Sequence, residues 1–196
     1  MFTTFNSKST TIFLDSNSDI NYDIAQGSKL NIILSPAFYW VKKVSLPIKY
    51  IKDAKKLLPS LFEESLPDGN YSYTTYKKDG YFYIFAYEDK YILDTISKHN
   101  IPLSSISNIY FAQSELDSMQ SPIQINDTQS IYLKDDIVIV VPSSFVKEAI
   151  TLDLNDKQLS KHTINLQQYA HIVDNSIFKK IGGAFLILAI LLFVQY

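Results

Sequence analysis

Several residue types that carry much of protein chemistry are absent or scarce in this sequence. Cysteine is absent, which excludes disulfides, thiolate nucleophiles and zinc–thiolate sites and suits a reducing compartment such as the cytoplasm. All 18 basic residues are lysines, so the chain has no guanidinium group to bind a phosphate or carboxylate through two parallel hydrogen bonds. Only five glycines occur, and they are too scattered to form a phosphate-cradling loop. We therefore expect no enzymatic activity and no cofactor.

The overall charge also gives no indication of a charged ligand. The formal net charge is −2 with 20 acidic residues, so nucleic acid is not an expected partner. With 196 residues, 46% of them hydrophobic, the chain is long enough for one domain with a real core.

The last twenty residues differ sharply from the rest. The stretch "KKIGGAFLILAILLFVQY" carries no charge after its two lysines, and residues 177–196 are about long enough to span a bilayer. A buried core helix is the alternative, but such a helix would have a polar face. The lysines precede the span, which predicts a cytoplasmic N-terminal part. The chain would then be either tail-anchored or continued across the membrane. The predicted anchor residues are Lys179, Lys180, Ile181, Phe185, Leu186, Leu188, Leu191 and Phe193.

Residues 1–146 are dominated by strand patterns and predict an α+β domain with β-hairpins and two or three helices packed on a sheet. Asp79-Gly80 separates two aromatic-rich runs and predicts a type I′ hairpin turn. Asp135-Asp136 lies between two further strand patterns and predicts a second hairpin turn. The pattern weakens over 147–176, which we interpret as a linker with a short helix before the anchor at 177–196.

One predicted helix, "KYIKDAKKLLPSLFEESLP", contains an internal proline. Pro59 removes a backbone donor and clashes with the preceding turn, at a cost of about 3 kcal/mol in a helix interior. The spacing predicts that Ile51, Leu58, Leu61 and Phe62 face the sheet. The residues predicted to be exposed, and to form a partner-binding surface, are Lys52, Lys56, Glu63 and Glu64.

Other clusters of polar residues do not indicate a reaction. Asp15, Asn17 and Asp19 have the spacing of a calcium loop, but Ile20 stands where that loop needs glycine. A turn with local Asx hydrogen bonds is the better interpretation. His99, His162 and His171 lack metal-ligand spacing and are expected on the surface or in loops. No metal site is predicted.

Taken as one block, residues 29–116 resemble the cytoplasmic domain of GspL, the bitopic inner-membrane platform protein of type II secretion systems, which is related to the actin-like PilM of type IV pili. The runs "KLNIILSP" and "FYWVKKVSLP" look like two consecutive strands of that family that end in proline. "AKKLLPSLFEESLP" is similar to its helix of the form A-x-x-x-L-P-x-x-L-E-E-x-L. "NIPLSSISNIYFAQSEL" looks like a later family segment that has lost a glycine and a proline. The transmembrane segment stands where the family has one.

The resemblance implies a reduced actin-like (RNase H-like) lobe whose second lobe is missing. "IFLDSNSDINYDI" holds the place of the phosphate loop, with Asn17 where glycine would be needed, so nucleotide binding is expected to be lost. The implied function is a non-enzymatic scaffold at the bacterial inner membrane, in a type II secretion, type IV pilus or competence machine, or recruited to a flagellar motor scaffold. The implied partners are a PilN- or GspM-like bitopic membrane protein, a secretion-type hexameric ATPase and the lipid bilayer, within a multi-subunit homo- or hetero-oligomer.

Two alternatives stay open. One is a membrane-tethered enzyme or nucleotide sensor that uses an actin-like cleft. The other is a tail-anchored protein whose domain binds an unrelated cytosolic ligand.

Overall fold

The computed structural model describes residues 9–17, 22, 28–155 and 157–166, and the chain divides into two compact units, Met1–Ile164 and Asn165–Tyr196. The helices and strands described here belong to the first unit, which confirms the predicted α+β class. The helices are α1 Ile51–Phe62, α2 Asp89–Lys98 and α3 Ala112–Glu115; the strands are β1 Thr10–Leu14, β2 Leu30–Leu34, β3 Tyr39–Val44, β4 Ser72–Lys78, β5 Tyr81–Tyr87, β6 Ile106–Phe111, β7 Ile123–Gln124, β8 Gln129–Lys134, β9 Ile137–Pro142, β10 Ile150–Thr151 and β11 Thr163–Ile164.

The most buried sheet has the strand order β1-β2-β6-β11, in which β1, β2 and β6 are parallel and β11 is antiparallel to β6. Every residue of β2 is buried, as expected for a continuous apolar run covered on both faces. β1 pairs with β2 in parallel, and the second half of the expected strand–turn–strand around Asn17 lies largely outside the described residues. Of the run "INYDI", only Tyr22 is described, and it lies outside any strand.

A second sheet has the order β3-β5-β4 and is antiparallel throughout. The predicted turn at Asp79-Gly80 joins β4 to β5, and both residues have positive φ, 51° and 84°. This is the backbone that a type I′ turn requires, and it matches the right-handed twist of the two strands. The first hairpin prediction is therefore confirmed.

The remaining sheet has the order β10-β7-β8-β9. Asp135 and Asp136 form the turn between β8 and β9 with φ of 51° and 64°, which confirms the second hairpin prediction. Aspartate tolerates this left-handed region better than most residues because its short side chain bonds the local backbone.

The segment predicted as a linker with a short helix is described as far as residue 166. Over residues 147–155 and 157–166 it contains strands β10 and β11 and no helix. Among the described residues, no helix has the length and apolar content needed to cross a membrane. The predicted anchor at 177–196 lies outside the described residues, as does His171.

Candidate docking surface

The candidate surface is the exposed side of α1, the helix that contains Pro59. Ala54, Leu58 and Phe62 recur at four-residue intervals along α1, so they lie on one face, and all three are buried. They pack against the buried side chains of β5, namely Phe82, Ile84 and Ala86. This contact fixes which side of the helix faces solvent.

Two residues of the predicted inner face are placed differently from expectation. Leu61 is only partly buried at the edge of this cluster. Ile51 is 42% exposed, so the prediction that it faces the sheet is wrong. Ile51 is the first residue of the helix and is not part of the cluster that α1 forms with β5.

The helix continues through its proline. Pro59 is exposed, so its ring does not displace any core side chain, although Lys55 loses the amide that would bond its carbonyl. At the next residue, the hydroxyl of Ser60 donates to the Leu57 carbonyl over 2.9 Å. The helix then ends at Phe62, with Glu63 as its C-cap.

The C-terminal end of α1 is stabilised by a lysine from another element. The Lys42 ammonium on β3 donates to the Leu61 carbonyl at 2.8 Å and to the Ser65 hydroxyl at 2.6 Å. Its Nζ also lies 5.0 Å from the centroid of the Phe62 ring. A cation at this position satisfies an orphan carbonyl and opposes the negative end of the helix dipole. Sequence analysis missed this role, because β3 and the end of α1 are 19 residues apart.

The four predicted partner-binding residues are all exposed, but they do not form one cluster. Lys52 and Lys56 lie in the first half of α1, whereas Glu63 and Glu64 follow its last residue, about 10–18 Å further along the axis. Lys56 pairs with Asp53 at 3.5 Å. Within the described part of the chain, neither glutamate makes an ion pair.

The signs of these charges oppose the helix dipole at both ends. Lysines lie near the positive N-terminus and glutamates near the negative C-terminus, and each such placement costs about 0.3–1 kcal/mol. Helix stability does not account for this arrangement.

The described part of the turn after β1 is held by hydrogen bonds to the Asp15 side chain. Asp15 is buried, and its Oδ2 accepts from the Asn17 amide at 3.1 Å, which is the predicted Asx turn. The same oxygen accepts from the Asn126 side-chain amide at 3.2 Å. Among the described residues, no group of three metal-ligating side chains occurs.

The histidines have two different environments. His162 is exposed, as expected, and its ring stacks on Tyr76 with 4.3 Å between centroids. His99 lies in the turn after α2, which agrees with the predicted surface or loop position, but it is buried, with only 3% exposure. It is the C-cap of α2, where Asn100 at φ 55° and the bond from the Ile101 amide to the Ile96 carbonyl turn the chain.

Comparison with solved structures found a similarity to a protein of a secretion system. The chain is similar to the cytoplasmic domain of EpsL, an inner membrane component of the type II secretion system of Vibrio cholerae, with a TM-score of 0.49 and 12% sequence identity. The likeness covers 76% of this chain and 76% of that chain. No protein-family model and no curated protein matches the chain.

Proposed function

We propose that this chain is a non-enzymatic scaffold of the bacterial inner membrane, in which a reduced actin-like domain docks cytoplasmic components of a secretion-type machine. The machine would be a type II secretion, type IV pilus or competence system, or a flagellar motor scaffold to which the module was recruited. The partners would be a PilN- or GspM-like bitopic protein and a hexameric ATPase. The proposal does not depend on the likeness to EpsL described above.

The observation that carries the proposal is the placement of charge on α1. The helix is fixed to β5 by Ala54, Leu58 and Phe62, so its outer side is a rigid surface. That surface has a basic first half and an acidic end, in an order that disfavours the isolated helix. Rigid exposed charge of this kind supports recognition of partners, since electrostatic complementarity contributes strongly to specificity and association rate.

We assign contact with the ATPase to the acidic end of α1. Reversing the charge of that end tests the assignment. Glu63→Lys with Glu64→Lys should leave the domain folded, because exposed substitutions usually change stability by about 0.5 kcal/mol or less. It should reduce recovery of the ATPase from solubilised membranes, since like charges across an interface cost several kcal/mol. The matched control is Asp127→Lys with Glu148→Lys, which makes the same change in net charge at exposed residues outside α1 and should leave recovery of the ATPase unchanged.

A core substitution separates loss of folding from loss of docking. Leu58→Ala should lower the free energy of unfolding by about 2–5 kcal/mol by leaving a cavity against β5, whereas Leu61→Ala should cost less because Leu61 is only partly buried. If the glutamate reversal leaves ATPase recovery unchanged, the docking surface lies elsewhere. If neither an ATPase nor a bitopic partner is recovered with the unaltered chain, the scaffold proposal fails.

The non-enzymatic part of the proposal has its own test. Isothermal titration of the purified chain with Mg-ATP should give no heat of binding, since the turn after β1 is closed by Asp15 and Asn126. A micromolar dissociation constant would instead support a nucleotide sensor.

A further inference from the structure

The first half of α1 and the residues beside it form a basic patch on an otherwise acidic chain. Residues 49–56 contain four lysines and one aspartate, whereas the whole chain has a formal charge of −2. All four lysines are exposed. We define the basic face as Lys49, Lys52, Lys55, Lys56 and Lys161.

Most of this positive charge is uncompensated. Lys56 pairs with Asp53, but within the described ranges Lys52 and Lys55 make no ion pair. Lys49 lies over the Tyr50 ring at 5.6 Å, a contact that does not neutralise its charge. The amino end of α1 adds the positive pole of the helix dipole to the same region. The basic face therefore attracts an anionic surface. The described residues of the chain do not supply one.

Large apolar side chains are exposed in the same stretch. Tyr50 is 62% exposed, Ile51 42% and Leu57 40%. Leu57 points about 100–160° away from Lys52, Lys55 and Lys56 around the helix axis, whereas Tyr50 and Ile51 lie between Lys49 and Lys52 at the amino end of α1. Lysines beside exposed aromatic and aliphatic groups fit contact with a bilayer surface, where lysines meet headgroup phosphates and the apolar groups enter the interface. An acidic protein surface would match the lysines but would leave these apolar groups unexplained.

The segment that leads toward the predicted anchor lies beside this face. Lys55 of α1, Lys161 and His162 line one cavity of about 180 Å³. The backbone and side chain of Ser160 donate hydrogen bonds to the buried Glu115 carboxylate at 2.9 and 2.6 Å, so this segment is held against α3. From Ile164 to the predicted start of the anchor at Ile177 is a step of 13 residues, which spans about 45 Å when fully extended.

We propose that the basic face of α1 contacts the anionic lipid headgroups of the membrane that anchors the chain. This inference rests on the anchor in the proposed function. A short tether keeps headgroups at high effective concentration near the domain, so modest affinity is enough. The contact assigns the two ends of α1 to different ligands, lipid at the lysines and protein at the glutamates.

The test uses the full chain in lipid nanodiscs. Because the chain has no cysteine, Ser60→Cys provides a single labelling site one turn after Lys56, and Ser97→Cys on α2 provides a control site. A fluorophore at position 60 should be quenched by headgroup-labelled lipid in discs that contain phosphatidylglycerol and not in discs of phosphatidylcholine alone. The quenching should disappear at about 1 M salt, where the screening length falls to about 3 Å.

The effect of removing each lysine on the quenching should have a predictable size. Each lysine-to-glutamine change in the basic face should reduce the ratio of docked to undocked domain about fivefold. Replacing Lys49, Lys52, Lys55 and Lys56 together should therefore abolish the quenching. The control, glutamine at Lys77, Lys98, Lys134 and Lys147, makes the same change in net charge at exposed lysines elsewhere and should leave it intact.

Four results would overturn the inference. Equal quenching in the two kinds of disc, or quenching that survives removal of the four lysines, would show that the contact is not electrostatic. Lysine removal that abolishes partner recovery without any lipid dependence would assign the basic face to an acidic protein.

If the chain does not enter the discs, the anchor of the proposed function fails. The labelled chain is then added to preformed vesicles of both compositions, and sedimentation with neither overturns the lipid contact as well.

Discussion

Lys42 shows how one side chain can complete an element to which it does not belong. The final turn of α1 leaves carbonyl groups without intrahelical partners, and the residues that follow it are acidic. The Lys42 ammonium supplies both the missing donor and the missing positive charge from β3. The proline, the glutamates and Lys42 therefore form one local arrangement.

Replacing Lys42 by methionine should destabilise the domain by about 1–2 kcal/mol. Methionine keeps the apolar stem over Phe62 but leaves the Leu61 carbonyl without its charged donor. The matched control is Lys77→Met, because Lys77 also lies 5.0 Å from a ring, that of Phe82, but bonds no helix end. Chemical denaturation followed by circular dichroism gives both free energies of unfolding. Equal values for the two variants would show that the bond to the helix end contributes nothing.

Residues with positive φ explain why the turns were predictable. Asp79, Asp135 and Asp136 each stand in a left-handed conformation that aspartate tolerates, and each occurs between two strand patterns in the sequence. Such signals are local, since a turn is determined mainly by the residues that form it. His99 carried no comparable signal, because its burial depends on how the chain folds back after Asn100.

At the scale of elements, α1 is the part that sequence analysis described best. The helix and its internal proline were predicted, and three residues at four-residue spacing form its buried face. Ile51 was misplaced because periodicity gives the direction of a side chain but not where the neighbouring strand ends. The Lys42 contact could not be predicted, since it depends on the pairing of β3 with β5.

Pro59→Ala tests whether the proline serves stability or docking. Alanine should raise the free energy of unfolding by about 1–2 kcal/mol, because proline costs about 3 kcal/mol in a helix interior and the more flexible unfolded chain offsets about 1 kcal/mol. Pro59 is exposed, so no core contact is lost. Thermal unfolding measures the change, with Ser60→Ala as the neighbouring control. A loss of stability would mean that tertiary packing requires the proline.

At the scale of the whole molecule, the long-range strand pairings were not predictable. The parallel pairing of β1, β2 and β6 joins segments separated by loops that carry no register signal. The segment expected to be a linker adds β10 to one sheet and β11 to another. Its polar composition indicated a linker because two-residue strands have too few residues to show periodicity. It is held partly by the bonds from Ser160 to Glu115, which no local pattern indicates.

The buried tyrosines give the whole domain a characteristic response to alkaline pH. Burial raises the pKa of Tyr39, Tyr76 and Tyr87 well above the ordinary tyrosine value of about 10. Tyr39 on β3 and Tyr87 on β5 both pack against the ring of Phe111 on β6. Ionisation of any one of them in the folded state would place a phenolate in the core.

The sign of the pH dependence follows from these pKa shifts. Below about pH 10 the three tyrosines are protonated in both states, and stability is unaffected. Above it the unfolded chain releases protons that the folded chain retains, so each tyrosine removes up to about 1.4 kcal/mol of stability per pH unit. The pKa of the Lys78 ammonium is also raised, by its hydrogen bond to Asp117, and that stabilisation is lost in the same direction of pH.

The domain should therefore unfold cooperatively above pH 10, and ultraviolet absorbance of tyrosinate should rise together with the loss of circular dichroism. Tyr76→Phe should reduce the slope of the free energy of unfolding against pH by about one third, because one of the three buried tyrosines no longer ionises. The substitution removes an ionisable group whose hydroxyl makes only a long contact, 3.5 Å, with the Gln113 carbonyl. Full tyrosinate absorbance in a chain that keeps its native circular dichroism would contradict the prediction. It would mean that the core around β5 admits water at high pH without unfolding, and that these aromatic strands are held less tightly than their burial indicates.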